Sequence, residues 1–416
     1  MTKLLTAILL LTNLFAQGQT KRVLFLGNSF TYVNNLPRIT ADIANAMGDT
    51  LLYDAYTPGG YTLQEHAADT ASLNKITEGN WDFIVLQGSN LPSLQIDRVE
   101  VEVFPYAHYL DSVINAKNIC GETIFYMTWG MKNGDAANCP AWEPVCTYEG
   151  MDDLLRLRYR MMADSNRAVV APVGAVWRYI RQHYPSIELF VSDNIHPSQA
   201  GSYAAACTFY TGFFRKDPLL ITYDFNLDPT VAANIRTAAK RVMYDSLLYW
   251  HIGEYDLVSD FDYTQLNGFT YQFNSQSQNQ VGQIWDFRID IDTSVNPAFT
   301  FPDSGTYPVQ LSSFNLCDTI VSKQLISVSD FPTSLKVDNP ELPVMYPNPA
   351  GNNVFINLNS SYRTSVNIYN SQGKNVMVID NFFGNEIDLR NLKSGVYLLE
   401  IIKGSNAITK KLVIQK

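Results

Sequence analysis

Val23-Leu-Phe-Leu-Gly-Asn-Ser29-Phe-Thr31 is an apolar run of strand length that breaks at a glycine and presents a serine on the turn that follows. Far downstream, Asp193-Asn-Ile-His196-Pro197 sets a carboxylate three residues ahead of a histidine, in a stretch rich in turn formers. A serine hydroxyl is a poor nucleophile until a base removes its proton, and the base needs a partner that fixes its tautomer. Nucleophile, base and orienting acid are all present. The pattern reads as serine hydrolase chemistry.

Around the serine, from Lys21 to about Tyr255, short apolar runs alternate with helical patterns. Val23–Gly27, Leu51–Tyr56, Phe83–Gln87, Thr123–Met127 and Ala168–Ala171 have strand length, and Leu36, Ile39, Ile43 and Met47 recur at helical spacing. Strands alternating with helices predict a parallel sheet covered on both faces, and such sheets bind ligands beyond the carboxyl ends of their strands. Asn28-Ser29-Phe30-Thr31, Thr57-Pro58-Gly59-Gly60-Tyr61-Thr62 and Gly88-Ser89-Asn90 follow the first three runs, and all are polar or glycine-rich. Around Phe261 to Val328 the texture changes to short alternating strands and turns, including Gly268–Phe273, Gln283–Phe287 and Gly305–Leu311, as in a β-sandwich. A polar, proline-bearing linker at 333–343 precedes a second all-β segment, with strand-length runs at Val354–Leu358, Ser365–Tyr369, Val376–Ile379 and Gly395–Ile402.

At 416 residues, 46% of them hydrophobic, the chain is long enough for two to four packed domains. Lys3, the apolar run Leu4–Phe15 and the small-residue region Ala16-Gln17-Gly18 predict a secretory signal peptide over 1–16. No other segment approaches spanning length, so no transmembrane segment is expected in the mature protein. Forty acidic against 30 basic residues argue against nucleic acid as a partner. Of five cysteines, Cys139 and Cys146 flank a short loop and are expected to pair, a bridge worth roughly 2–3 kcal/mol in the chain-entropy model. Cys120 and Cys207 are expected to be buried thiols, and Cys317 to be isolated in its own module. No Cys/His spacing suggests a metal, and no cofactor is expected.

Four blocks resemble those of SGNH (GDSL-type) hydrolases: Gly27-Asn28-Ser29, Gly59-Gly60-Tyr61-Thr62, Gly88-Ser89-Asn90-Leu91 and Asp193-Asn-Ile-His196-Pro197. Asn28 stands where the family carries aspartate, and Leu91 replaces the aspartate after the third-block asparagine. The resemblance implies a flavodoxin-like three-layer α/β/α domain with a parallel sheet over residues 21–255, followed by two small all-β sandwich modules. The first of these, 261–330, resembles a PKD-type immunoglobulin-like domain, on Trp285-Asp286-Phe287, Asn296-Pro297 and Gly305-Thr306-Tyr307, with Trp285 in its core. The second, 344–416, is similar to the type IX secretion C-terminal sorting domain of Bacteroidetes, on Tyr346-Pro347-Asn348-Pro349, Leu392-Lys-Ser-Gly395-Val396-Tyr397 and Lys410-Lys411. That likeness implies the type IX secretion machinery as a partner and a protein secreted or attached to the outer-membrane surface.

The residue roles follow. Ser29 is the expected nucleophile, His196 the base and then acid, and Asp193 its orienting group. The Ser29 and Gly60 backbone N–H groups and the Asn90 amide are the expected oxyanion donors, with Gln87 as the alternative to Asn90. Trp129, Asn133 and Trp142, in the loops after the fourth strand, are candidate substrate-binding residues, with rings for stacking on a sugar. They favour acetylated carbohydrate over lipid as the ester. A lipid esterase, an acyltransferase using the same serine, and a non-catalytic glycan-binding surface protein are the competing readings. His66 reads as a residue on a local helix face, and His108, His183 and His251 as structural.

Overall fold

The computed structural model describes residues 18–329, 344–357, 364–370, 372–382, 385–403 and 406–416. The expected signal peptide at 1–16 and linker at 333–343 lie outside the described residues. Contacts group the residues up to Thr264 with Gln272–Ala298 and Thr306–Ile326 in one unit. Gln265–Tyr271, Phe299–Gly305 and Ser327 onward form a second.

Five parallel strands form the first sheet: β1 (Thr20–Leu26), β2 (Thr50–Tyr56), β3 (Phe83–Leu86), β4 (Glu122–Tyr126) and β5 (Val169–Ala171), in the order β2-β1-β3-β4-β5. Val23 to Leu26 are all fully buried. Successive side chains point to opposite faces, so burial of every residue requires a covering layer on each side. The helices of this layer system are α1 (Ser29–Tyr32), α2 (Leu36–Ala46), α3 (Leu63–Ala68), α4 (Thr70–Thr77), α5 (Ile96–Glu102), α6 (Phe104–Lys117), α7 (Tyr148–Asn166), α8 (Val173–His183), α9 (Gln199–Phe214) and α10 (Pro229–Val242). Helix α2 packs on α9, whereas α6 packs on α3, α4 and α7. The α/β architecture expected from the alternating runs is present.

Helix α9 shows how the sequence builds this core. Ser198 caps it by accepting the Gly201 N–H, and Phe209 and Phe213 meet Phe25 of β1 at ring distances of 5.5 and 6.2 Å. Phe213 also lies 5.0 Å from Phe83 of β3, and Phe209 4.9 Å from Tyr126 of β4. One helix thus ties three strands together, and its large apolar side chains contribute roughly 1.5–3 kcal/mol each by burial. The chain leaves β1 toward β2 on one side and reaches β3 on the other, so the switch point lies between β1 and β3, where such folds open a crevice.

The next strands are β6 (Phe261–Asn267), β7 (Thr270–Ser275), β8 (Gly282–Asp286), β9 (Ile291–Asp292), β10 (Ala298–Thr300), β11 (Gly305–Phe314) and β12 (Thr319–Val328). They form sheets ordered β10-β7-β6 and β12-β11-β8-β9. Trp285 is fully buried among Phe261, Phe273 and Phe287, and its indole N–H donates to Ser294 O at 3.1 Å. It is the core residue that the sequence predicts.

The last strands are β13 (Val344–Tyr346), β14 (Asn353–Asn357), β15 (Thr364–Tyr369), β16 (Asn375–Phe382), β17 (Glu386–Asp388), β18 (Gly395–Lys403) and β19 (Asn406–Ile414). They make antiparallel sheets β13-β14-β17 and β16-β15-β18-β19 around a core that includes Val354, Ile368, Leu399 and Leu412. No described helix is long and apolar enough to cross a membrane.

The cysteines require a correction. Cys139 pairs with Cys146 as expected, and Cys207 is a buried free thiol that burial pushes up to about 12. Cys120 is exposed rather than buried, and Cys317 is not isolated: the two form a disulfide across a sequence separation of 197. The bridge joins the entrance to β4 to the turn between β11 and β12.

Candidate active site

The serine turn is built by a side-chain amide. Asn28 Oδ1 accepts the Phe30 N–H at 3.0 Å and so caps α1. Ser29 could itself have served as the cap; with Asn28 in that place, the half-buried Ser29 does not spend its Oγ on capping. Asn28 Nδ2 donates to Tyr61 O at 2.7 Å and to Gly88 O at 3.3 Å, so one residue ties together the loops after β1, β2 and β3. A carboxylate has no proton with which to do this, and that gives the Asn28 amide a physical use.

Ser29 and His196 lie 167 positions apart in sequence, and their Oγ and Nε2 atoms are 2.8 Å apart. His196 Nδ1 is 2.6 Å from Asp193 Oδ2. Asp193 Oδ1 accepts the backbone N–H groups of Ile195 and His196, both at 2.9 Å. Partial burial pushes the Asp193 carboxyl up, but the His196 and Ile195 backbone donors and the His196 ring outweigh it and hold the group below its ordinary value. An ionised Asp193 accepts from Nδ1–H, which leaves Nε2 as the acceptor for the serine proton. The three residues expected to act together are brought together.

Gln87 is not available as an oxyanion donor. It is fully buried, its Oε1 accepts the Asn28 N–H and the Thr31 hydroxyl, each at 2.8 Å, and its Nε2 donates to Asn28 Oδ1 at 2.9 Å and to Gly88 O. Both lone pairs and both protons are used. Asn90, half-buried, accepts the Thr128 hydroxyl on Oδ1 at 3.2 Å, which uses its oxygen and not its N–H₂ group. Thr128 is in turn hydrogen-bonded to Tyr159, whose phenol burial pushes up to about 12 and so keeps neutral. Gly60 is exposed with φ +76°, a conformation that glycine adopts without strain, and a Cβ there would meet no atom within 4 Å. Its glycine is required by backbone conformation and not by crowding.

Trp129 is a second correction. It is 1% exposed, stacked on Trp177 at 3.8 Å and packed against Phe30 at 4.9 Å, so neither ring face is open to a sugar. Asn133 is exposed, and its neighbour Lys132 donates its backbone N–H to Asn194 O at 3.0 Å, which sets this loop beside the His196 loop. Trp142 is half-buried and donates to Ser93 O at 3.2 Å, on the Asn90 side.

The sequence reading missed His66 as part of this scaffold. It is fully buried, with Nε2 3.0 Å from Gly27 O and Nδ1 2.8 Å from Ser72 Oγ. Burial lowers its pKa, although the Gly27 carbonyl and nearby Asp69 and Glu65 oppose that. A neutral ring with its proton on Nε2 supports the strand end just before Ser29. The signal was only a histidine within a short helix capped by Thr62 and Glu65. Among the described residues, no group of three or more His, Cys, Asp or Glu is placed to hold a metal.

Residues 344–415 match the family model of the secretion system C-terminal sorting domain. The chain therefore carries a secretion sorting domain at its C-terminal end, as Tyr346–Pro349 and Lys410-Lys411 suggested. No curated protein matches the chain. Among solved structures, a DUF4886 family protein from Bacteroides uniformis is 17% identical, with 55% of this chain and 95% of that one covered and a TM-score of 0.48. A putative SGNH hydrolase from Slackia heliotrinireducens is 23% identical, with 46% and 97% covered and a TM-score of 0.39. The PKD1 domain of Vibrio anguillarum Epp is 19% identical, with 18% and 94% covered and a TM-score of 0.17.

Proposed function

We propose that this protein is an exported serine ester hydrolase that works through an acyl-enzyme, with acetylated carbohydrate as its substrate class. The observation that carries the reading is the continuous hydrogen-bonded series Asp193–His196–Ser29, at 2.6 and 2.8 Å. In the proposed reaction His196 Nε2 takes the Ser29 proton as Oγ attacks the ester carbonyl. The tetrahedral oxyanion is stabilised by the Ser29 and Gly60 N–H groups and by the Asn90 amide. Its collapse releases the alcohol, which takes the proton from His196. Water then attacks the acyl carbonyl as His196 removes its proton. Collapse of the second tetrahedral intermediate breaks the bond to Ser29 Oγ, which takes that proton from His196 as the carboxylic acid leaves. Asp193 stays ionised throughout and stabilises the imidazolium.

Carbohydrate as the alcohol is supported by the exposed Asn133 amide and the partly open Trp142 ring at the same sheet edge. The proposal includes the domain boundaries 21–255, 261–330 and 344–416, with removal of 1–16 on export. The test is acetate release by the purified protein, wild type against Ser29→Ala, on acetylated xylan, acetylated oligosaccharides and p-nitrophenyl esters of increasing length. Loss of all turnover in the variant is expected, with preference for the acetylated glycans. Equal turnover in both proteins would overturn the reading, and transfer to an added sugar in place of hydrolysis would make the enzyme an acyltransferase.

A further inference from the structure

His196 sits on an exposed loop. Val191, Ser192 and Asp193 are all exposed, so the acid that orients the ring is not anchored in the core. The catalytic geometry therefore needs a support outside the three reacting residues. The loop closes on itself through Val191 N–H to His196 O at 3.0 Å and Ser198 N–H to Leu189 O at 2.9 Å, but these bonds fix its shape and not its place relative to Ser29.

Two side chains from other elements hold the carbonyls on either side of His196. The Trp129 indole N–H donates to Ile195 O at 3.0 Å. The Asn34 amide donates to Pro197 O at 3.2 Å and to Ser202 Oγ at 3.0 Å. Trp129 is immobilised by its stack on Trp177, and another neighbour, Phe30, meets the His196 ring edge-on at 5.7 Å. Asn34 lies two residues beyond the end of the Ser29 helix and is held at φ +56°, in the left-handed region where asparagine is among the few residues tolerated. It thus ties the nucleophile's own turn to the base's loop.

Resting on the Ser29–His196 reading, we infer that Trp129 and Asn34 are positioning residues, which set the distance and aim of His196 Nε2 toward Ser29 by gripping the peptide carbonyls before and after it. In this role both act through the His196 loop. Displacement of a reacting group by about 1 Å can cost about 100-fold in rate, so release of one grip reads mainly in kcat.

The experiment compares Trp129→Phe, which removes the N–H and keeps an aromatic ring, and Asn34→Gly, which keeps the left-handed backbone and removes the amide, singly and together. On p-nitrophenyl acetate each is expected to lower kcat about tenfold and the pair about 100-fold, with KM within twofold and thermal unfolding near wild type. The downfield proton resonance of the His196 Nδ1–H bond to Asp193 is expected to broaden in both. Should Trp129→Phe fail to fold, Asn34→Gly decides alone. Wild-type kcat in Asn34→Gly, or a kcat loss that only tracks the unfolded fraction, overturns the inference while Ser29→Ala is still dead. Full turnover in Ser29→Ala overturns the underlying reading instead.

Discussion

Asn28→Asp puts a carboxylate directly before Ser29, and the structure predicts that it harms this protein. Asn28 is 3% exposed, and its Nδ2 donates to Tyr61 O at 2.7 Å. A carboxylate there would set a charged oxygen against that carbonyl. It has one relief, which is to stay protonated and donate through its O–H as the amide does. The cost is therefore bounded: keeping an aspartate neutral at pH 7, about 3 units above its ordinary pKa of about 3.9, takes about 4 kcal/mol. The Phe30 N–H and Gln87 Nε2 donors to the other oxygen offset part of this, which leaves about 2–4 kcal/mol. The sign follows from a folded pKa raised above the unfolded one. The variant matches wild type below about pH 4, loses stability as pH rises, and is weakest once pH passes its folded pKa. Urea unfolding of both proteins from pH 4 to 8 measures this, because every other group cancels in the difference. A difference that is zero, or that stays constant with pH, refutes the role assigned to the Asn28 amide.

Other perturbations test the rest of the site and its surroundings. Asn90→Ala should lower kcat about 10²–10³-fold without abolishing turnover, and an unchanged kcat would remove Asn90 from the oxyanion hole. Gly27→Ala would place a Cβ 2.5 Å from Thr31 Oγ1 and 2.6 Å from Gln87 Oε1, prying apart atoms already bonded to each other. Loss of that buried network should cost about 2–3 kcal/mol in denaturant unfolding and lower kcat with it. Burial raises the Glu122 carboxyl to about 7, against the pull of Arg215 and Lys21 and with the help of Asp256. Wild-type stability from this group is therefore full below about pH 4.5 and lost as pH rises through about 7. Glu122→Gln should be more stable than wild type at pH 8, by about 2 kcal/mol after allowance for its partial exposure, and equal to it at pH 4.

The sequence carried the features that recur locally. Strand-length runs, helical spacing and polar strand ends were enough to place Ser29, Gly60 and Asn90 on one sheet edge, because a parallel sheet aligns all its carboxyl ends. The pairing of Ser29 with His196 was readable from the serine turn and the Asp193–His196 spacing taken together, although Ser29 alone would also suit a helix cap. What stayed hidden depends on tertiary neighbours. Trp129 follows a strand and precedes a glycine, which suggests an exposed loop, yet Trp177 of a later helix covers one face and Phe30 packs against it. Gln87 and Asn90 are both amides at one strand end, and only the position of Thr31 and Asn28 decides which is consumed by the scaffold. Cys120 and Cys317 are 197 positions apart in sequence, and no local pattern announces a partner so distant.

The Cys120–Cys317 bridge also bears on how this chain can cross a membrane. A polypeptide threaded single file presents its whole length in turn, but a covalent tie between these residues withdraws about 650–700 Å of contour from extension. Once the bond has closed, no pull on the ends can straighten the loop, and a conduit only one strand wide is blocked. A protein bearing a C-terminal sorting domain must then be moved by a passage wide enough for a folded body, or be delivered before the thiols meet.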